Sequence, residues 1–416
     1  MHIAIVGAGL AGVTAAWYLR ASGHEVSVID RDPGPALEAS YANGGQISIS
    51  HPEPWSNPGA PWLILKWLGR KDAPLRFRWP AEAERIHWGL QFLRECLPAR
   101  SARNTVAIAR LAAYSGEELR RLREATGIHY DELARGVLHL YFTRASLRHG
   151  EAQFRVLQQL GIGARMLTPA ECVTTEPALA RVSPRLVGAM LGTADESGDA
   201  QRFTSELAAR CTAAGVRFIY DAEVERIEHA EGRIKALHLL QQSRRETLGA
   251  DAYVIAAGAW SPLLTRPLGE RLAIYPVKGY STTLTLRDPQ RAPDVSLTDE
   301  SRRIVCSRLG DKLRIAGTAE LNGYDTDVDT ERCAALLRWA EDIFPGVCEL
   351  DEPNAWAGLR PTTPSNLPII GRSRYANLYY NTGHGTLGWT LAAGSARALA
   401  DLIDGRTPAV DFPFLG

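Results

Sequence analysis

The chain has 416 residues, which is enough for two domains with substantial cores. Hydrophobic residues make up 45% and charged residues 23%, as in a soluble globular protein, and 47 basic residues balance 47 acidic ones. This balance gives no reason to expect a nucleic-acid partner. Six scattered cysteines without a C-x-x-C pair argue against a zinc site or a disulfide scaffold, and they predict reduced thiols in a cytoplasmic protein.

The N-terminal segment predicts a strand, a glycine turn and a helix. The apolar run 3–6 leads into Gly7-Ala-Gly9-Leu-Ala-Gly12 and then into a helical pattern over 13–19. In such a G-x-G-x-x-G pattern the glycines allow a tight turn, a close approach to a pyrophosphate and packing of the helix on the strand. The predicted strand 25–30 ends in Asp30, which is placed to bind a ribose hydroxyl. This context predicts a dinucleotide site. The first strand begins at residue 3, so we expect no cleaved leader.

Hydrophobic periodicity predicts the remaining elements in chain order. Residues 51–62 are rich in proline and glycine and predict an irregular loop. Thr330 is placed to cap one of the helices. The predicted helices are 81–97, 104–125, 203–214, 330–344 and 389–403; the predicted strands are 136–142, 217–220, 224–227, 234–240, 252–257, 275–286, 303–318 and 378–382.

A second glycine-rich junction between a strand and a helix lies near the end of the chain, at 378–388. The dinucleotide fold is therefore expected to combine distant segments. We predict an α/β, Rossmann-like cofactor domain built from 1–50, 199–262 and 355–416. An inserted α+β substrate domain with a mixed or antiparallel sheet would comprise 51–198 and 263–354.

Seven motifs in one order resemble the flavin-dependent D-amino-acid dehydrogenases, within the group that includes D-amino-acid oxidase, glycine oxidase and sarcosine oxidase. The resemblance covers essentially the whole chain. It implies non-covalent FAD and oxidation of a D-amino acid to an imino acid, which water converts to a keto acid and ammonia. The motifs are the N-terminal glycines with Asp30, then Ser40-Tyr-Ala-Asn-Gly-Gly-Gln46, Glu196-Ser-Gly-Asp-Ala-Gln-Arg-Phe-Thr204, Val254-Ile-Ala-Ala-Gly-Ala-Trp-Ser261, Tyr275-Pro-Val-Lys-Gly-Tyr280, Gly358-Leu-Arg-Pro and its continuation to Gly371, and Asn381-Thr-Gly-His-Gly-Thr-Leu-Gly-Trp389.

One loop departs from that group. Members often carry Asp-Gly between the two prolines at 364 and 368, and here the residues are Ser365-Asn366-Leu367. The loop lies near the flavin in the group, so the departure bears on substrate preference.

The resemblance assigns a set of residues to FAD. Asp30 would bind the adenosine ribose, 40–47 would run under the flavin ring, and the free N–H groups at 383–387 would form an anion site at the last helix. Simpler alternatives are a core position for Val224 and an ordinary turn at 40–47. The predicted cofactor residues are Gly7, Gly9, Leu10, Ala11, Gly12, Asp30, Arg31, Ser40, Asn43, Gly44, Gly45, Gln46, Val224, Gly258, Gly358, Gly383, Gly385, Thr386 and Leu387.

Four residues are candidates for the catalytic site. Arg360 suits a substrate carboxylate, because a guanidinium fork makes two parallel hydrogen bonds to it; the alternative is a structural ion pair. Tyr275 and Tyr280 either line the site or are ordinary strand aromatics. His384 either packs beside the flavin or lies in the core. Hydride transfer to flavin needs a neutral amine and an aligned Cα–H but no protein base, so we expect orientation to dominate.

Alternatives remain open for the electron acceptor, for the substrate and for whether the chain is catalytic. The resemblance favours transfer to a quinone or another carrier. A cyclic D-imino acid such as D-proline could be the substrate, O₂ could be the acceptor, or the chain could be a non-catalytic FAD-holding subunit.

Residues 61–71 combine two tryptophans, four aliphatic residues and three cations. They are too few to span a bilayer, which needs about 20 apolar residues. They could instead lie on the inner face of the cell membrane, where dehydrogenases of this group are peripheral, or pack as a short amphipathic helix.

Overall fold

The computed structural model describes residues 1–67, 75–77 and 83–416. Its helices are α1 Leu10–Ala21, α2 Ala60–Trp67, α3 Ala83–Glu95, α4 Pro98–Thr126, α5 Arg144–Gln159, α6 Pro169–Thr175, α7 Ala200–Ala213, α8 Ser261–Thr265, α9 Thr330–Ile343 and α10 Gly388–Ile403. Its strands are β1 His2–Val6, β2 Glu25–Ile29, β3 Gln46–Ile47, β4 Leu75–Phe77, β5 Val137–Tyr141, β6 Ala164–Leu167, β7 Gly188–Gly192, β8 Glu196–Ser197, β9 Arg217–Ile219, β10 Ala222–Ala230, β11 Arg233–Gln241, β12 Arg244–Leu248, β13 Ala252–Ile255, β14 Tyr275–Thr285, β15 Ser296–Asp299, β16 Ile304–Leu309, β17 Lys312–Leu321, β18 Asn354–Thr362, β19 Ile369–Arg372 and β20 Leu378–Thr382.

The first sheet has the order β19-β20-β13-β1-β2-β9, and all its pairings except β19 with β20 are parallel. Alternate residues of β1 are buried in two separate cores, because successive side chains of a strand point to opposite faces of the sheet. Ile3 and Ile5 pack with helices α1, α7 and α10, whereas Ala4 and Val6 pack with the antiparallel sheet β10-β11-β12. Covering both faces explains why these strands are apolar throughout. The predicted α/β class and its assembly from distant segments are confirmed.

The second sheet has the order β18-β14-β17-β16-β15-β5-β7-β6, with β4 also paired to β17. It is mixed, because β15 with β5 and β17 with β4 are parallel and the other pairs are antiparallel. Leu336, Trp339 and Ile343 of α9 pack against one face of it. The predicted inserted sheet is therefore present, in mixed form.

Two segments make contacts outside the unit predicted for them. Residues 354–362 pair with β14, although 355 was the predicted start of the last cofactor segment. Helix α4 falls inside 51–198, yet its apolar residues, such as Leu111 and Leu119, share the core of α1 and α10. A Cβ on Gly394 of α10 would lie 2.8 Å from the Cα of Ser115, which shows how closely these helices approach. Periodicity detects the helix but not the partner it packs against.

Two local predictions were wrong in detail. The cap of α9 is Asp329, whose side chain accepts a hydrogen bond from the N–H of Glu331 at 3.0 Å, so Thr330 is the first helical residue. The loop predicted for 51–62 ends earlier, because α2 begins at Ala60. Among the described residues, no helix is both long and apolar enough to cross a membrane.

Candidate functional site

A cavity of about 580 Å³ lies between the two large sheets. Both sheets and the start of α10 contribute to its wall. Three predicted site residues, Gly12, Gly383 and Tyr275, are not part of the wall. The predicted residues that line it are Gly7, Gly9, Leu10, Ala11, Asp30, Arg31, Ser40, Asn43, Gly44, Gly45, Gln46, Val224, Gly258, Tyr280, Gly358, Arg360, His384, Gly385, Thr386 and Leu387.

The N-terminus of α1 borders one end of this cavity through Gly9, Leu10 and Ala11. Gly7 has φ +114°, and a Cβ there would lie 2.6 Å from the carbonyl oxygen of Ala256. A Cβ on Gly12 would lie 1.8 Å from the carbonyl oxygen of Gly7, so Gly12 serves the packing of helix on strand. Ser40 Oγ accepts a hydrogen bond from the N–H of Leu10 at 3.1 Å. The cradle suits a phosphate, which helix N-termini favour.

Asp30 follows β2 at the same edge of the sheet. Its carboxylate accepts hydrogen bonds from the N–H groups of Ala8 and Asp32. Burial raises the pKa of this carboxyl, and these two bonds oppose the rise. Because a carboxylate has about four acceptor positions, it retains capacity for a ribose hydroxyl.

Arg31 and Val224 border the cavity beside Asp30. The guanidinium of Arg31 lies 4.0 Å from the centre of the Trp260 ring and pairs with Glu38. Its charge is therefore already balanced by a neighbour. The arrangement offers a flat cation and a branched apolar side chain to the wall of the cavity.

The loop 40–46 lies flat on the second sheet, with its other side toward the cavity. A Cβ on Gly44 would lie 2.5 Å from Val305 Cγ2, and the carbonyl of Gly44 accepts a hydrogen bond from Ser307 Oγ at 2.8 Å. Gly45 has φ +70°, a conformation that favours glycine. Asn43 Oδ1 accepts from the N–H of Gly45 at 3.0 Å. Only glycine permits so close a contact with the sheet.

Gln46 anchors the end of that loop. Its Nε2 donates to Ser296 Oγ at 2.9 Å and to the carbonyl of Leu297 at 3.1 Å. The amide group is thus engaged with the substrate sheet, and Gln46 fixes the loop that borders the cavity.

Arg360 on β18 supplies a cation to the cavity wall. Its Nη1 donates to the carbonyl of Thr318 at 3.1 Å, and no described carboxylate lies within 4 Å of it. The guanidinium lies over Gly279 of the adjacent strand, where a Cβ would be 2.0 Å from Nη1. Burial lowers the pKa of Arg360 to about 10, which keeps it charged at neutral pH. A guanidinium has five N–H donors, so most remain available to a ligand.

The other three catalytic candidates have protein partners. Tyr280 donates its hydroxyl to Glu320 Oε2 at 2.7 Å, while its ring borders the cavity. Tyr275 accepts a hydrogen bond from the N–H of Gly323 at 3.0 Å and packs on Trp88. His384 is buried, its Nε2 lies 3.0 Å from Ser395 Oγ, and burial lowers its pKa to about 4, so it is neutral.

The loop 365–367, whose sequence differs from that of the resembling group, also reaches the cavity through Asn366. Its φ is +60°, a left-handed conformation that asparagine tolerates better than most residues. Its side-chain oxygen accepts a hydrogen bond from the N–H of Trp55 at 3.0 Å. Asn366 therefore adopts the left-handed backbone conformation that usually requires glycine. Its side chain also adds a hydrogen bond to the loop 51–59.

The sequence analysis did not predict that the loop 51–59 is part of the cavity wall. His51 and Trp55 line the cavity, together with Arg303 and Trp356 from the second sheet. His51 approaches His139 and Glu300, and the three ligand-type atoms lie within 4.8 Å of one another. The available signal was a polar and aromatic sequence inside a proline-rich loop, since positioned loops commonly carry function.

Comparison with known proteins gives consistent matches along the chain. The family model described as FAD dependent oxidoreductase matches residues 2–402. A D-amino acid dehydrogenase of Dechloromonas aromatica is 51% identical over 100% of both chains. One of Paramagnetospirillum magneticum is 46% identical over 100% of this chain and 98% of its own.

Solved structures share the fold at low identity. Glycine oxidase from Geobacillus kaustophilus superposes with a TM-score of 0.74 at 23% identity, covering 98% of this chain and 96% of its own. An L-amino acid deaminase from Proteus myxofaciens also gives 0.74, at 17% identity, covering 98% and 91%.

Replacing Asp30 tests the cofactor end of the cavity. Asp30→Ala is expected to lower the flavin retained through gel filtration more than it lowers turnover per bound flavin, because the ribose that the acid would bind takes no part in the chemistry. The exposed Asp411→Ala is the matched control and should retain flavin like the wild type. Full retention by Asp30→Ala would contradict the ribose role.

Proposed function

Because the chain belongs to the family of FAD dependent oxidoreductases, we propose that it oxidises a D-amino acid at this cavity. One observation carries the proposal: a charged guanidinium, Arg360, borders the cavity without a carboxylate partner among the described residues. Relatives that are 51% and 46% identical over the full chain are named D-amino acid dehydrogenases, which supports the same substrate class.

The residues at the α1 end fit FAD. The N–H groups at α1 would hold the pyrophosphate and Asp30 the ribose, while the flat loop 40–46 and the turn at 384–387 would border the ring. No cysteine of the described residues lines the cavity, which supports non-covalent binding. When bound, FAD supplies the acceptor for one hydride, which carries the two electrons of the oxidation.

The substrate is oriented by its carboxylate in this proposal. Arg360 would bind both carboxylate oxygens through a planar fork, and Gly279 leaves the space in which that fork lies. Tyr280, whose hydroxyl is already bonded to Glu320, would shape the wall rather than bind substrate. With the carboxylate fixed and the Cα–H directed at the bound ring, the two enantiomers exchange the places of the amino group and the side chain, so the walls around those two groups would give the stereochemical preference.

Arg360→Lys tests this clamp. The KM for D-alanine should rise by at least about tenfold, because a single ammonium cannot replace a bidentate fork. Steady-state kinetics with an artificial dye, normalised to bound flavin, provides the measurement. The exposed Arg338→Lys is the control; wild-type KM and kcat in Arg360→Lys would show that Arg360 is structural.

We further propose that the electrons pass to a quinone at a membrane surface. Helices α2 and α3 share one small buried cluster that includes Ala60 and Trp88. Their outer faces expose apolar side chains beside Lys66 and Arg94, which form no ion pair with any described residue. The exposed apolar residues are Trp62, Leu65, Ile86, Leu90, Leu93 and Leu97.

This face refines the sequence prediction for residues 61–71. Trp62 is 73% exposed, whereas Trp67 lines the cavity, so the two tryptophans point to different environments. Residues 68–71 lie outside the described part of the chain. Exposed aliphatic and indole groups next to cations that pair with no described residue suit the boundary of an anionic bilayer. A location at the cytoplasmic face of the membrane accords with this.

Removing the apolar face should separate membrane binding from chemistry. In Trp62→Ser/Leu90→Ser we expect weaker sedimentation with anionic liposomes and lower quinone reduction, but unchanged dye reduction, because the variant residues face away from the cavity. Val328→Ser, also exposed, is the control. Unchanged liposome binding would contradict the proposal that this face binds a membrane. Rapid stoichiometric peroxide production with O₂ would place the chain among oxidases.

A further inference from the structure

A histidine of the cavity wall lies beside a carboxylate, and neither is among the residues assigned above. His51 follows β3 and borders the cavity, with a side chain one-third exposed at 33%. Its Nδ1 lies 3.6 Å from Glu300 Oε1 and 3.4 Å from His139 Nδ1. His139 Nδ1 in turn lies 3.0 Å from the same oxygen of Glu300. Two imidazoles thus converge on one carboxylate.

The carboxylate is held in its charged form. Burial raises the pKa of Glu300, but the hydrogen bond from His139 and the charge of Arg303, whose Nη1 donates to Glu300 Oε2 at 2.7 Å, bring it well below its usual range. Glu300 Oε1 lies 3.6 Å from His51 Nδ1, beyond hydrogen-bond distance, so an ionised Glu300 acts on His51 through its charge. It would stabilise the imidazolium that forms when Nε2 takes a proton.

The second histidine, His139, is held by contacts on the side away from Glu300. His139 Nε2 lies 3.4 Å from Ser50 Oγ, and Ser50 donates its hydroxyl to Asp195. A Cβ on Gly192 would lie 2.2 Å from Ser50 Oγ, so the missing side chain there makes room for this arrangement. His139 is 1% exposed. It therefore positions Glu300 rather than meeting the cavity.

His51 and Arg360 both line the cavity. Arg303, whose side chain pairs with Glu300, precedes Ile304, which pairs with Gly317 of β17. The next residue of β17, Thr318, accepts the hydrogen bond of Arg360. The backbone beside Glu300 and the guanidinium of Arg360 therefore contact adjacent residues of β17.

We propose that His51 is the base that takes the proton of the substrate ammonium before the Cα–H is transferred. The N–H bond of the ammonium breaks, its proton forms a bond to His51 Nε2, and the nitrogen keeps the electron pair. No other reactant is needed. This rests on the proposed oxidation of an amino acid, and it deepens that function by naming how the neutral amine arises.

The groups around His51 determine the pKa of its imidazole. Burial is the main effect and lowers the pKa of His51, while Glu300 raises it, so the ring is neutral at pH 7. The titratable and charged groups around it are Glu300, His139 and Arg303 from the second sheet, Glu53 with its partner His149, and Asp195 behind Ser50.

The pH dependence of His51→Gln tests the proposal. With D-alanine and an artificial dye, kcat/KM per bound flavin should fall about 100-fold at pH 7, as loss of a general base does. The deficit should shrink about tenfold per pH unit towards the pKa of the free substrate ammonium, because solvent then supplies the neutral amine. Glu300→Gln should show the same trend with a smaller deficit, and the exposed His129→Gln should match the wild type.

Three results would overturn the proposal. A deficit that stays constant from pH 6 to 10 would assign His51 a purely structural role. One zinc ion per purified chain, lost in His139→Gln, would show that the cluster binds a metal instead. Wild-type flavin that no D-amino acid reduces would refute the proposed function itself, which distinguishes that failure from a failure of His51 alone.

Discussion

The guanidinium of Arg360 is the constraint on which the rest of the site depends. It is charged, borders the cavity, and among the described residues has one hydrogen-bond partner, the carbonyl of Thr318. A buried cation without a counter-ion is costly, and a ligand carboxylate would relieve that cost. Its placement in turn requires Gly279 on the neighbouring strand, since any side chain there would occupy the same space.

The two sheets have different tasks in forming the cavity. The parallel sheet ends at glycine turns and at Asp30, where backbone N–H groups face the cavity. The mixed sheet carries Arg360 and supports the loop 40–46 from below through Val305 and Ser307. In the proposed arrangement, the cofactor would therefore be held mainly by backbone, and the substrate by side chains on rigid strands.

Much of this was predictable from the sequence because the signals are local. The glycines at 7, 9 and 12, the acid at the end of β2 and the alternating strands each follow from short-range backbone and burial rules. Arg360 was suggested by the chemistry of carboxylate binding and by family resemblance. The placement of α4 was not predictable, since an amphipathic helix does not reveal which core it joins. His51 was missed for a related reason: its partners, Glu300 and His139, are distant in sequence and meet only through the pairing of β5 with β15.

The central claim is that the cavity binds an amino acid by its carboxylate and exposes the Cα–H of the D form to the cofactor. Anaerobic spectroscopy of the purified flavoprotein with the two enantiomers of alanine tests this most directly. We predict that D-alanine bleaches the flavin absorbance and that L-alanine leaves it unchanged over the same interval. Equal or faster bleaching by the L form would contradict the account.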